Sequence, residues 1–223
     1  MTNWSWVFAV AVVESAHVLS HAVCSTLFSI KKEQISTRWL MVHALVNLSI
    51  AVQVVPSMIA VRECVGSTDA LTCLAQPSGA PQPMQEAALL HVYHVLFYDL
   101  SREDIFHHAL FAVFLILPGL VYEWGHLANF QLFFIHGLPG FVIYAYIVTR
   151  RAFRWRASIE PVISALVNIF IRMPGVLYAN ALLYSVASLI AVPHWATALN
   201  ILLGPFNAIY YACQSAQRCI LRM

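Results

Sequence analysis

Charged side chains are scarce in this chain. Asp, Glu, Lys and Arg make up 10% of its 223 residues, against about 25% in soluble domains. That is too little polar surface to cover a water-exposed domain of this size. With 61% hydrophobic residues and a mean hydropathy of +0.74, the composition is that of an integral membrane protein. Lysine is rarer still: Lys31 and Lys32 are the only two. Both lie outside the apolar segments, which excludes a retinal Schiff base. No basic region precedes the first apolar segment, Trp4 to Ile30, and that segment exceeds the apolar core of a signal peptide, about 7–15 residues. It is predicted to be a mature transmembrane helix. There is no soluble module, no internal repeat of useful strength and no linker able to separate two domains. The one low-complexity stretch, AQPSGAPQP at 75–83, predicts an extended, solvated loop.

What is present is a series of apolar segments, at about 4–30, 39–61, 85–100, 105–122, 127–148, 159–192 and 195–216. Each is near the roughly 20 residues a membrane span needs, although the third is short and the sixth too long. Ten of the twelve basic residues fall on one side of this alternation: Lys31, Lys32, Arg38, Arg102, Arg150, Arg151, Arg154, Arg156, Arg218 and Arg222. Arg62 falls on the other, and Arg172 lies inside the sixth segment. By the positive-inside rule the N-terminus is outside and the C-terminus inside. The expected fold is all-α: a polytopic membrane helical bundle of about seven transmembrane helices, forming a single transmembrane domain over 1–223. Cys64 and Cys73 lie in the outer 62–84 loop and are placed to bridge if that compartment is oxidising. Cys213 and Cys219 are expected as free thiols, and Cys24 in the core. In the sixth segment, Arg172-Met173-Pro174-Gly175 predicts a break. A tilted or interfacial helix would then cover 159–172 and a crossing helix 174–192. Arg172 either snorkels to the inner interface or faces the bundle interior.

Ionisable groups at membrane depth are costly and usually functional, so the histidines are the leading candidates for a site. Asp104, His107 and His108 are spaced i, i+3 and i+4 and share one helix face. A carboxylate one turn from an imidazole can orient it as a general base. His91 and His94 sit one helix earlier, with Asp99 following, but at a different expected depth, so the two pairs need not converge. Glu14, His17 and His21 form a stripe predicted to point into the bundle or toward a polar cavity. His136 lies mid-segment beside Gly137, Pro139 and Gly140, where the backbone is loosened and a neighbour can approach closely. His43 and His126 are expected at the interfaces, and His194 at a helix cap or headgroup. Ligand types for a metal are present but no compact ligand signature is, so no metal is expected. The loop TRRAFRWR, 149–156, reads either as the positive-inside anchor or as a contact for anionic headgroups or a phosphate-bearing substrate through Arg150, Arg151, Arg154 and Arg156.

The adjacent His107-His108 near the start of one membrane helix, followed on the next helix by His136, resembles the TLC-domain family, the ceramide synthases and their multipass relatives. His136 is followed by Gly137 where the family pattern has Asp. The stretches HHALFAVFLILPGLVYEWGHLANFQLFFIHGLPGFVIY, FIRMPGVLYA and FNAIYYACQSAQ together resemble TLC-like proteins of unicellular algae and other protists. The resemblance covers about 86–217. It implies a helical bundle with a lipid-accommodating cavity, an N-out, C-in arrangement and acyl-CoA as a possible substrate, with no resident cofactor.

Two functions stand against each other at this level. The first is a protein that binds or modifies lipid acyl chains, with acyltransferase-like chemistry. His107 and His108 would be base or nucleophile, Asp104 the orienting group and His136 a second wall, with Arg172 and the 150–156 arginines meeting phosphate or headgroup. The second is a non-catalytic accessory or scaffold subunit of a larger organellar membrane complex that binds structural lipids. The expected partners are membrane lipids and other subunits, not nucleic acid. The expected location is the endoplasmic reticulum or an organellar inner membrane.

Overall fold

The computed structural model describes residues 3–28, 31–77, 79–122, 124–155 and 159–221. Among these the chain is helical, without strands. We number the helices α1 (Asn3–Leu27), α2 (Lys31–Gln53), α3 (Val55–Val65), α4 (Ala70–Leu74), α5 (Gln82–Phe97), α6 (Arg102–Val121), α7 (Gly125–Ala152), α8 (Glu160–Val186) and α9 (His194–Ile220). Five of them, α1, α2, α6, α7 and α8, are long and apolar enough to cross a membrane. The protein is an all-α helical bundle of the membrane-integral type. Two boundaries differ from expectation. The apolar segment 39–61 is not one helix: α2 begins at Lys31, and Pro56 starts a new helix, α3, after Val54.

The sixth segment does not break at Pro174. Instead α8 runs through it, with a π-helical turn over Asn168–Arg172 just before the proline. The same device occurs twice more. A π-helical stretch His108–Ile116 precedes Leu117-Pro118-Gly119 in α6, and Phe133–Gly137 precedes Leu138-Pro139-Gly140 in α7. Proline has no N–H and its ring collides with the carbonyl four residues back. A wider turn ahead of it relieves the clash and lets the helix continue, and such turns recur at functional sites. The glycine after each proline serves contact between helices. A Cβ at Gly140 would run into the Asn47 amide of α2, and one at Gly175 into the Phe134 ring of α7.

The bundle has two different ends. One end is closed by apolar side chains: Val61 and Cys64 of α3, Leu74 of α4, Trp124 just before α7, Leu127 and Phe130 of α7, Leu183 and Val186 of α8 and Ala196 of α9. A disulfide joins Cys64 and Cys73 there, tying α3 to α4. A second apolar cluster packs α1, α2 and α5 against α6 and α7 through Val13, Val46, Ile50, Leu90, Ile116 and Leu132. At the other end the start of α8 and the ends of α7 and α9 surround a polar opening.

Candidate functional site

That opening leads into a chamber of about 260 Å³. Four helices face it with side chains four positions apart. These are Trp39, His43 and Asn47 on α2; His136, Gly140 and Tyr144 on α7; Glu160, Ser164, Asn168 and Arg172 on α8; and Asn207, Tyr211 and Ser215 on α9. A spacing of four drifts by about 40° per step on a 3.6-residue helix. The π-helical turn on α8 spans the Asn168–Arg172 step of its row, where a wider turn absorbs part of the drift, and that on α7 ends at the start of its row. From Glu160 at the mouth to Arg172 the α8 row descends roughly 18 Å.

α5 and α6 complete the wall with the histidines. The short 98–101 connection sets them side by side. Ser101 caps α6 by accepting from the Asp104 N–H at 3.1 Å, while the Asp104 carboxylate accepts from the Ser101 N–H at 2.9 Å and its hydroxyl at 2.7 Å. This capping box fixes where α6 starts and therefore where His107 and His108 point. It also occupies Asp104, which makes no hydrogen bond to either imidazole. The expected role of Asp104 as orienting carboxylate is not what the structure shows. Two other groups orient the rings.

The two histidine pairs converge, contrary to the expected difference in depth. His91 Nε2 and His107 Nε2 are 3.3 Å apart, and His94 Nδ1 and His108 Nε2 are 2.9 Å apart. The His91–His107 contact belongs to a longer chain. His91 Nδ1 lies 2.7 Å from the Ala87 carbonyl oxygen, and Tyr211 Oη lies 3.0 Å from His107 Nδ1. A carbonyl only accepts, so neutral His91 donates from Nδ1 and presents Nε2 as acceptor. His107 then donates from Nε2 and accepts at Nδ1 from the Tyr211 hydroxyl. One backbone carbonyl thus sets the tautomer of two rings. Both nitrogens of His107 are used. Trp39 stacks on His94, with ring centroids 3.9 Å apart, and meets His43 edge-on at 4.0 Å.

His136 is different. It lines the chamber with its ring 5.3 Å from His91, and neither of its nitrogens is hydrogen-bonded to another described residue. It also lines a second, narrow crevice of about 30 Å³, walled by Met84, Phe111, Leu115, Ile116 and Leu132 among others. Ile135, His136 and Asn207 belong to both spaces. The polar chamber and this mainly apolar crevice, which Gln131 and Asn200 also line, thus lie side by side with His136 on the wall they share.

Arg172 is interior, not snorkelling. It is only 9% exposed. It donates to Asn168 Oδ1 at 2.7 Å and lies over the Tyr211 ring at 5.1 Å from the ring centroid. Asn168 in turn donates to Ser215 Oγ at 2.7 Å.

The remaining candidates lie elsewhere. Arg150 pairs with Glu160 at 2.8 Å, and Arg151 donates to the Ser36 and Thr37 hydroxyls. Arg154 is exposed, in a left-handed turn at φ 52°. These arginines sit around the mouth without lining the chamber, and Arg156 lies outside the described residues. Asp99 is exposed. The α1 stripe does not enter the cavity: Glu14 and His21 are exposed on the outward face of α1, while His17 packs edge-on against Tyr93. The outward turn follows from small and apolar residues, Ala9, Val13 and Ala16, claiming the buried face. His43 is not interfacial but part of the chamber wall. His126, close to Ser57 Oγ at 3.0 Å, lies at the closed end. His43, Tyr144, Asn168, Asn207 and Tyr211 were missed in the sequence reading. The fourfold rows within apolar segments are the signal that would have found them.

The His–His contacts are pairwise, and no group of three or more His, Cys, Asp or Glu is arranged to hold a metal ion among the described residues. What the arrangement offers is a fixed hydrogen-bond chain, one unengaged imidazole at the neck and a buried cation. Comparison with family models, curated proteins and solved structures finds no match to this chain.

Proposed function

We propose that this protein binds acyl lipids in its chamber and modifies them by acyltransferase-like chemistry, as a TLC-like bundle. The observation that carries the reading is that a polar chamber and a mainly apolar crevice adjoin, with Ile135, His136 and Asn207 in both linings. That is the shape an amphiphile needs: polar surroundings for the reacting head and an apolar slot for the start of its chain. His136 stands at the junction with both nitrogens open to a ligand. His108 has one ring nitrogen engaged with His94 and keeps the other. Either can take the proton of an attacking hydroxyl or amine. The Tyr211–His107–His91 chain holds the opposite wall rigid. An acyl donor such as an acyl-CoA would enter from the mouth, where Arg151 adds positive charge beside the ion-paired Arg150 and Arg218.

In this reading α5 and α9 also cross the membrane, which gives seven spans, an outer N-terminus and an inner C-terminus in an organellar or endoplasmic-reticulum membrane. The ten-to-one distribution of basic residues supports it. Cysteine-accessibility labelling that reports residues 66–80 and 150–155 on the same side would contradict this arrangement. The function is tested by replacing His107 and His108 together with alanine in the native host and measuring the lipidome. A specific lipid class should fall while the protein remains inserted. An unchanged lipidome contradicts the enzymatic reading.

A second reading is favoured by one observation. Glu14 lies at the middle of the Trp4–Leu27 segment and is exposed. A carboxyl group facing lipid at that depth is costly. A neighbouring subunit that covers α1 would remove the cost, as expected of an accessory subunit of a membrane complex.

A further inference from the structure

Among the described residues Arg172 has no acidic partner: the ion pairs there are Arg150–Glu160 and Arg218–Glu103. The acidic residues lining the chamber are Asp104 and Glu160. The first is held by the Ser101 cap and the second by Arg150. Glu160 sits at the mouth, about three helical turns from Arg172 along α8, and Asp104 is in the first turn of α6. Of the five N–H donors of a guanidinium, Asn168 takes one, and Nε is buried without any partner. A buried cation of this kind is stable only when paired, and in the membrane interior the requirement is stricter. The nearest compensation, the Tyr211 ring at 5.1 Å, supplies no charge. The remaining guanidinium donors are left for a group that enters through the chamber, which Arg172 lines.

We propose that the ligand of the chamber is an anionic single-chain amphiphile. Its carboxylate or phosphate group pairs with Arg172, and its chain turns past His136 into the crevice. The inference rests on the lipid reading above and narrows it from lipids in general to negatively charged ones. Arg172 and His136 both line the chamber, and His136 also lines the crevice. A head at the first places the start of a chain at the second; at about 30 Å³ the crevice holds only that start, and a longer chain has to part the apolar side chains of Met84, Phe111, Leu115 and Leu132. A planar guanidinium with a free edge suits both a carboxylate and a phosphate through paired N–H bonds. Asn168, bound to Ser215, holds that guanidinium in place from the opposite side.

The test uses the purified full-length protein in mild detergent, with radiolabelled palmitate as probe. Unlabelled palmitate, 1-palmitoyl-lysophosphatidate, hexadecanol and inorganic phosphate serve as competitors. Palmitate or lysophosphatidate should compete at least tenfold better than the neutral alcohol, and which of the two is stronger assigns the headgroup. Arg172→Gln should reduce palmitate binding at least tenfold. Because that variant removes a buried group and can misfold, Asn168→Asp is the second arm. It places a carboxylate at the 2.7 Å contact with Arg172, neutralises it internally, keeps the fold and should also weaken palmitate binding at least tenfold. Hexadecanol competing as well as palmitate, or Asn168→Asp binding palmitate normally, overturns the anionic ligand and leaves the lipid reading standing. Displacement by inorganic phosphate at the affinity of lysophosphatidate assigns a free anion and overturns the amphiphile. If no amphiphile of either charge binds the wild-type protein, the lipid reading itself fails.

Discussion

His91 and His107 meet through their Nε2 atoms, 3.3 Å apart, although they belong to different helices and are 16 positions apart in the chain. The contact has a direction. Ala87 holds His91 in one tautomer, which obliges His107 to donate and leaves its Nδ1 to accept from Tyr211. Two histidines that are each free to flip in isolation become a fixed wall. The consequence is a division of labour: His91 and His107 hold each other, while His136 and one nitrogen of His108 face the chamber unengaged.

Tyr211→Phe tests this wall. It removes the donor to His107 Nδ1 and leaves a buried acceptor unmet, a loss of about 1–3 kcal/mol. Thermal unfolding in detergent should shift downward accordingly, and lipid turnover should fall with it. A variant as stable as the wild type would mean that the Tyr211–His107 bond does not hold the ring.

Gly175→Ala tests the close approach of α8 to α7. The new Cβ would overlap the Phe134 ring, and overpacking of this kind costs about 1–3 kcal/mol. The loss should be recovered by adding Phe134→Leu, which vacates the space. If Gly175→Ala is neutral on its own, the helices do not approach as closely as described.

Much of this architecture was legible in the sequence. The scarcity of charge announced the membrane class, and His107-His108 and His136 were marked by their position in apolar segments. The disulfide partners Cys64 and Cys73 stood out as the only cysteines of one loop. Two things were not legible. Proline at 174 read as a break, because a local rule for α-helices does not include the π-turn that lets α8 continue. The convergence of His91 with His107 depended on how far α6 is rotated by the Ser101–Asp104 cap, a tertiary outcome that spacing alone does not specify. The α1 stripe was misread for a related reason: Glu14 and His21 do share a face, but sequence periodicity does not say which face the bundle buries.

Glu14→Leu separates the two functional readings. If α1 faces lipid, replacing the carboxyl group with an apolar side chain removes a cost, and the isolated protein should be at least as stable and its lipid chemistry unchanged. If a subunit covers α1, the protein should be lost from its complex on native gels. A stable complex containing the variant at wild-type yield would argue against the subunit contact.

The central claim is that a lipid lies in the chamber with its chain at the neck, and cross-linking of a photoactivatable fatty acid maps this directly. After irradiation of the full-length protein in membranes, peptide mass spectrometry should place the label on Phe111, Leu115, Leu132 or Ile135, the walls of the crevice and its neck. Asn168→Asp should reduce that label at least tenfold. Label confined to outward-facing residues such as Val18, Val113 and Tyr184, with none at the crevice, would contradict the account.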